Sequence, residues 1–276
     1  MLLRTIAGLS LLLSCGIFGV CRMALWLLPV LYLGCFLGLL LLAFLILILL
    51  SLLVDLDKPQ EHDSKFYRTV AHLLIETLIP LVCLKMEVSG LEKTPKDGRI
   101  LLVCNHQNEA DPGILMHYFK KNQLAFIAKK EARNMFVVGP FMHKLHCQLV
   151  NRENDREALK SILKCIQLIR DDEVSIGVFP EGGIFEKDKL HHFRSGVFKI
   201  AQKAKVPIVV CTLKGTSDLF HNMKHLKPTH VRLHLVDVIS AEEAVSTNTV
   251  ELGEKIYRMM LEDLGPEYAP ENTETT

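Results

Sequence analysis

Residues 24–54 form a stretch of 31 residues without a single charged side chain, and no other feature restricts the folding of this chain so strongly. A helix needs about 20 such residues to cross a bilayer core, whereas the apolar part of a cleavable leader runs to only about 7–15. The stretch therefore reads as a membrane helix. The run before it, Thr5–Cys21, has 17 uncharged residues, the short limit for a span, and Arg22 separates the two. Residues 1–54 are expected to form a membrane anchor of one or two hydrophobic helices. A hairpin and a single span beside an interfacial helix both fit.

The rest of the chain is different in kind. Residues 1–54 hold two charges, Arg4 and Arg22, which leaves 30 Lys and Arg against 31 Asp and Glu for residues 55–276. That balance lacks the basic excess of a nucleic-acid-binding domain. The charge is uneven, however. Between Lys120 and Arg170, eleven basic residues meet four acids, which reads as a solvated helix face or as a local field for an anionic ligand. Eight cysteines with no C-x-x-C pair suit free thiols in a reducing compartment, so the polar part is expected on the cytoplasmic side.

Residues 55–84 read as a polar, proline-containing linker, LDKPQEHDS, followed by an apolar helix over Phe66–Leu84 broken near Pro80. After Lys96-Asp97-Gly98, short apolar runs alternate with helical patterns. RILLVC, LAFIAK, CQLVN, VSIGVF, PIVVCTL and HVRLHLVDV read as strands, the last with the alternation of an edge or antiparallel strand. DPGILMHYFKK, EARNMFVVGPFMHKL, DREALKSILKCIQLIRDD and SGVFKIAQKAK read as helices between them, and 248–264 as a closing helix. This alternation predicts an α/β domain over 85–264, a mostly parallel sheet flanked by helices on both faces. Residues 265–276 are expected to be a disordered tail.

Ligands of open α/β sheets sit beyond the carboxyl ends of the strands. Two loops occupy such places, CNHQNEAD after the first strand and FPEGG after the fourth. In the first, Asp111-Pro112 suits a helix start, and a lone turn histidine is more often structural than catalytic. Alternatively, His106 is a general base whose ring Asp111 orients. In the second, Pro and Gly suit an ordinary turn, and Glu181 between them could accept a hydrogen bond from a substrate hydroxyl. His191, His192, His221 and His225 could bind a metal, but no His-Glu-x-x-His frame occurs, and neither of the glycine-rich phosphate motifs is present.

Taken together, N-H-x-x-x-x-D and F-P-E-G, in this order, resemble the glycerolipid acyltransferases, most of all the 1-acyl-sn-glycerol-3-phosphate acyltransferases. The resemblance runs from about Lys85 to Val238 and includes LVNR ending in Arg152, VPIV at 206–209 and HHFRSGVFKIA. It implies the transfer of a fatty acyl group from an acyl thioester to the free hydroxyl of a lysophospholipid in phospholipid biosynthesis, at a bilayer surface. His106 and Asp111 are then catalytic, Arg152 binds the acceptor phosphate, Glu181 and Gly182 meet the acceptor, and Lys129 and Lys130 are lesser candidates. No cofactor or metal is implied, and the donor is acyl-CoA or acyl carrier protein. The chain departs from the pattern at Gly183 and Ile184 (threonine and arginine in the family), at His146 (glycine) and at Val210 (proline), which leaves the acceptor headgroup open. The other readings are a different lysophospholipid or glycerol-phosphate acceptor, or a non-catalytic lipid-binding membrane protein.

Overall fold

The computed structural model describes residues 2–21, 24–151 and 155–270. In chain order its elements are α1 (Leu2–Cys21), α2 (Leu28–Leu52), α3 (Lys65–Leu81), β1 (Leu84–Ser89), β2 (Leu101–Cys104), α4 (Asp111–Tyr118), β3 (Leu124–Lys129), α5 (Val138–Lys144), β4 (Gln148–Val150), α6 (Asp155–Arg170), β5 (Ser175–Val178), α7 (Lys199–Ala204), β6 (Ile208–Lys214), α8 (Leu219–Lys224), β7 (Thr229–Ile239), α9 (Ala241–Ser246) and α10 (Thr249–Leu264).

Among the described residues the strands form one sheet in the order β1-β7-β6-β2-β5-β3-β4. Neighbours are parallel except β6 and β7, so β1 and β7 run together against the other five. Helices cover both faces. Ile100, Leu102 and Cys104 meet Ala71 of α3, Ile114 and Leu115 of α4 and Phe141 of α5. Leu101 and Val103 meet Ile166 of α6, Ile200 of α7 and Ile256 of α10. With side chains alternating between two buried faces, a central strand has no polar position left, which explains the unbroken apolar run of β2. Truncating a fully buried residue such as Leu102 to alanine removes about 2–5 kcal/mol of stability.

The structure differs from the sequence reading in four places. β1 was not expected: the helix read over Phe66–Leu84 reached only its first residue, and residues 85–89 were assigned to no element. α3 stops at Leu81 and Cys83 takes φ 52°, after which Leu84, Met86 and Val88 alternate with the more exposed Lys85, Glu87 and Ser89 on the edge strand. β7, antiparallel as its alternation suggests, is covered by β1 and is not an edge. The single helix expected over 131–145 is broken. Residues Lys130–Asn134 form a 3-10 turn, then Val137 sits at φ 63°, ψ −52° with the Val138 N–H donating to the Phe136 carbonyl at 2.7 Å, a γ-turn. Gly139 then lies against the Arg133 carbonyl where a Cβ would overlap. Finally, the tail is docked as far as Tyr268, a buried residue whose carbonyl accepts from the Leu190 N–H at 2.8 Å. Residues 271–276 lie outside the described residues.

α1 lies along α2 and touches α3. Its buried residues, Ile6, Ser10 and Ser14, are spaced by four on one face. α2 buries only Ser51, leaving its apolar surface open. Both helices are long and apolar enough to cross a membrane. The polar segment that follows them is firmly attached. Asp63 receives Arg68 through two bonds of 2.6 and 2.7 Å, both side chains being nearly fully buried, and Arg68 also donates to the Leu124 carbonyl. Glu173 accepts from the Asp63 N–H and pairs with His62, the Ser64 N–H donates to the Lys144 carbonyl, and Tyr67 donates to the Leu50 carbonyl at 2.8 Å.

Candidate active site

β2 and β5 are neighbours and parallel, so both loops singled out in the sequence leave the sheet side by side at one edge. Asn105 fixes the first of them. Its side chain donates to the Leu213 carbonyl and accepts from the Leu213 N–H, each at 2.8 Å. This pair continues the β2–β6 ladder after the Cys104 and Cys211 pair with a side chain in place of backbone. The sequence reading did not single out Asn105; its position directly before His106 at a strand end was the available signal.

The chain then turns around one carboxylate oxygen. Asp111 Oδ2 accepts from the Gln107 N–H at 2.7 Å, the Asn108 N–H at 2.8 Å and His106 Nδ1 at 3.0 Å. Asp111 has no solvent exposure, and its Oδ1 has no partner among the described residues. Asp111 does not cap α4, contrary to the capping role open in the sequence. It is the first residue of that helix, Ala110 is the N-cap, and the carboxylate bonds backwards to the loop. A carboxylate can only accept, so Nδ1 carries the ring hydrogen and Nε2 holds a free lone pair. Nε2 has no partner among the described residues, and the His106 side chain keeps 16% of its surface open.

Stacking sets the plane of the ring. His106 lies on Phe179 with centroids 4.0 Å and planes 16° apart, and Phe179 lies on Phe126 at 5.7 Å and 14°. Phe126 reaches this position because Gly177 of β5 has no side chain; a Cβ there would stand inside the Phe126 ring. One glycine thereby admits the aromatic column that carries the imidazole.

The second loop is a turn in which the Gly182 N–H donates to the Phe179 carbonyl at 3.0 Å, with Pro180 preset at its first corner and Gly182 at φ 82°. Glu181 points back into the protein. Its Oε1 accepts from the His106 N–H at 2.7 Å and its Oε2 from the His191 N–H at 3.0 Å. Burial, with the Asp111 charge adding, pushes this carboxyl up to about 7 despite the pull of the two amides. Each oxygen thus accepts one backbone N–H, and the carboxylate expected from the sequence to meet an acceptor is buried and turned toward the protein. Gln107 adds a second tie between the same regions, accepting from the Asp188 N–H at 2.8 Å and donating to the Lys189 carbonyl at 3.2 Å.

The remaining candidates lie apart. Lys129 ends β3 and Lys130 lies 3.9 Å from Glu157 on the surface; neither is joined to the His106 loop by a bond among the described residues. Arg152 lies outside the described residues. Part of the basic run expected to face an anion is engaged locally: Lys120 with Glu76, Arg133 with Asp57 and Lys144 with Gln60. No group of three or more His, Cys, Asp or Glu side chains among the described residues is placed to hold a metal ion. His146, where the family has glycine, sits at φ 59° in the left-handed region. That backbone favours glycine, though histidine is among the residues that tolerate it.

Residues 85–214 match the family model described as Acyltransferase. Among its relatives is the probable 1-acyl-sn-glycerol-3-phosphate acyltransferase of Mycoplasma pneumoniae, 30% identical over 63% of this chain and 64% of that protein. The 1-acyl-sn-glycerol-3-phosphate acyltransferase of Bacillus subtilis is 28% identical over 62% of this chain and 86% of its own length. The fold is shared with the crystal structure of the 1-acyl-sn-glycerophosphate (LPA) acyltransferase PlsC from Thermotoga maritima. The TM-score is 0.61 and the identity 20%, covering 79% of this chain and 86% of that one.

Proposed function

We propose that the chain is a membrane-anchored acyltransferase that moves a fatty acyl group from an acyl thioester to the free hydroxyl of 1-acylglycerol 3-phosphate, yielding phosphatidic acid for phospholipid synthesis. The observation that carries this reading is the pair of His106 Nδ1 and Asp111 Oδ2 at 3.0 Å, with Nε2 left open.

The chemistry follows from that geometry. His106 Nε2 takes the hydroxyl proton as the oxygen attacks the thioester carbonyl; a positioned base contributes typically ~10²–10⁴-fold. The imidazolium forms against a buried carboxylate, where the attraction is stronger than in water. The tetrahedral adduct then collapses, the carbon–sulfur bond breaks, and the proton on Nε2 passes to the departing thiolate. No acyl-enzyme is needed. Arg152 is proposed to bind the acceptor phosphate, its planar fork suiting two contacts. α1 and α2 would hold the domain at the cytoplasmic face of the bilayer, where both lipid substrates reside. Coenzyme A and acyl carrier protein are the two proposed carriers of the acyl group.

The test is an assay of the detergent-solubilised chain against a panel of lysophospholipids with both carriers, monitoring free thiol. The expected result is thiol release that depends on lysophosphatidic acid. Thiol release independent of any acceptor, or none with any pair, would exclude this function.

A further inference from the structure

We propose that Arg194 binds the phosphomonoester of the acceptor at the mouth of the site; the inference rests on the acyl-transfer reading above. The Arg194 N–H donates to the Pro180 carbonyl at 2.8 Å, which fastens this residue to the turn holding Glu181. Its side chain then folds over Gly182. Nε stands 2.8 Å, Cδ 3.1 Å and Cζ 3.6 Å from where a Cβ of residue 182 would be. The guanidinium fills the space that this glycine leaves empty, one residue from the carboxylate that grips the His106 amide.

Arg194 is exposed, and its side chain has no hydrogen-bond or ion-pair partner among the described residues. Other cations of this edge are engaged: Lys187 with Asp218 at 2.6 Å and Lys214 with Glu267. His191 accepts from the Glu186 N–H, and residues Gly183 and Ile184 bring no charge. Meanwhile the base sits among two buried carboxylates, Asp111 and Glu181. A phosphomonoester brings close to two more negative charges at neutral pH, so its approach needs a cation that is not already neutralised. Arginine suits the task because its fork meets two phosphate oxygens at once. The ligand class is a glycerol phosphomonoester, and a headgroup without phosphate gains nothing from this residue.

The full chain in detergent is assayed as wild type, Arg194→Gln and Arg194→Lys, with lysophosphatidic acid and with the corresponding 1-acylglycerol as acceptors. Arg194→Gln is expected to raise KM for lysophosphatidic acid by roughly 10- to 100-fold, the worth of one charge-assisted contact. The donor KM and the rate with 1-acylglycerol stay unchanged, and Arg194→Lys recovers part of the loss. An unchanged acceptor KM, or an effect confined to the donor, overturns the proposal and assigns the cation to the surface or to the donor's phosphates. If the wild type transfers no acyl group, the acyl-transfer reading fails by itself. Calorimetric binding of glycerol 3-phosphate then decides: weaker binding in Arg194→Gln supports the site, and equal or absent binding in both proteins overturns it.

Discussion

The loop after β2 and the loop after β5 leave adjacent parallel strands at the same edge, yet they use their polar atoms in opposite directions. The first carries a ring nitrogen that has no partner among the described residues. The second turns its one carboxylate inward, onto the amides of His106 and His191. Read as sequence, both look like reagents. In the structure, the loop carrying His106 presents an open ring nitrogen and the loop carrying Glu181 holds it in place, so substitutions in the two should fail differently.

Removing the proposed base should have the largest effect. His106→Ala is expected to lower kcat by at least ~10²–10⁴-fold, with the thermal midpoint lowered only by the loss of one bond to Asp111 and the stacking on Phe179; near-normal turnover would erase the contrast between the loops. Next comes Asp111→Asn. The amide oxygen can keep the three contacts of Oδ2 while its nitrogen occupies the place of Oδ1, so the loop survives without its charge. Steady-state kinetics should show kcat lower by roughly 10- to 100-fold, the worth of a hydrogen bond to a charged partner.

Glu181→Gln should act through the fold. One of two buried amides would face an NH₂ group, costing about 1–3 kcal/mol, and denaturant midpoints measure it. The pH dependence adds a signature. Because the folded carboxyl is raised from its ordinary 4.5 to about 7, its contribution to stability is complete below pH 4.5 and is lost as pH rises to about 7. The loss amounts to roughly 3 kcal/mol at most. Wild type should lose stability across that window and Glu181→Gln should not; identical slopes would show the carboxyl to be ordinary. The smallest effect is expected for Gln107→Ala, which removes two side-chain bonds to residues 188 and 189 worth about 1 kcal/mol each. A modest rise in KM with unchanged kcat is the expected kinetic result.

Much of the fold was legible because buried strands and amphipathic helices leave strong periods. LAFIAK is β3 residue for residue, and the closing helix begins one residue from its expected start. Edges and strained backbone were harder. LKMEVS is a short half-polar strand directly after an apolar helix, and its alternation is too brief to stand out from the turn that follows. No residue type announces a γ-turn at Val137. At the site, the spacing of His106 and Asp111 was visible, but direction was not. Nothing in FPEGG tells whether Glu181 faces a substrate or the backbone, and Gly177 acts on the base only through Phe126 and Phe179, a link made in three dimensions. His146 shows the converse: the departure from glycine was plain in the sequence, whereas its left-handed backbone needed coordinates.

The segment between Asp55 and Ser64 has the composition of a place where a protease would separate two parts of a protein. Its anchorage changes what such a cut achieves. With Tyr67 donating to the Leu50 carbonyl of α2, Arg133 bonded to Asp57, His143 bonded to the Lys58 carbonyl and Leu47 packed against the core, hydrolysis after Lys58 leaves the fragments associated. Two bands on a denaturing gel would then run as one particle on a sizing column, and a soluble catalytic fragment is not to be had by cutting there.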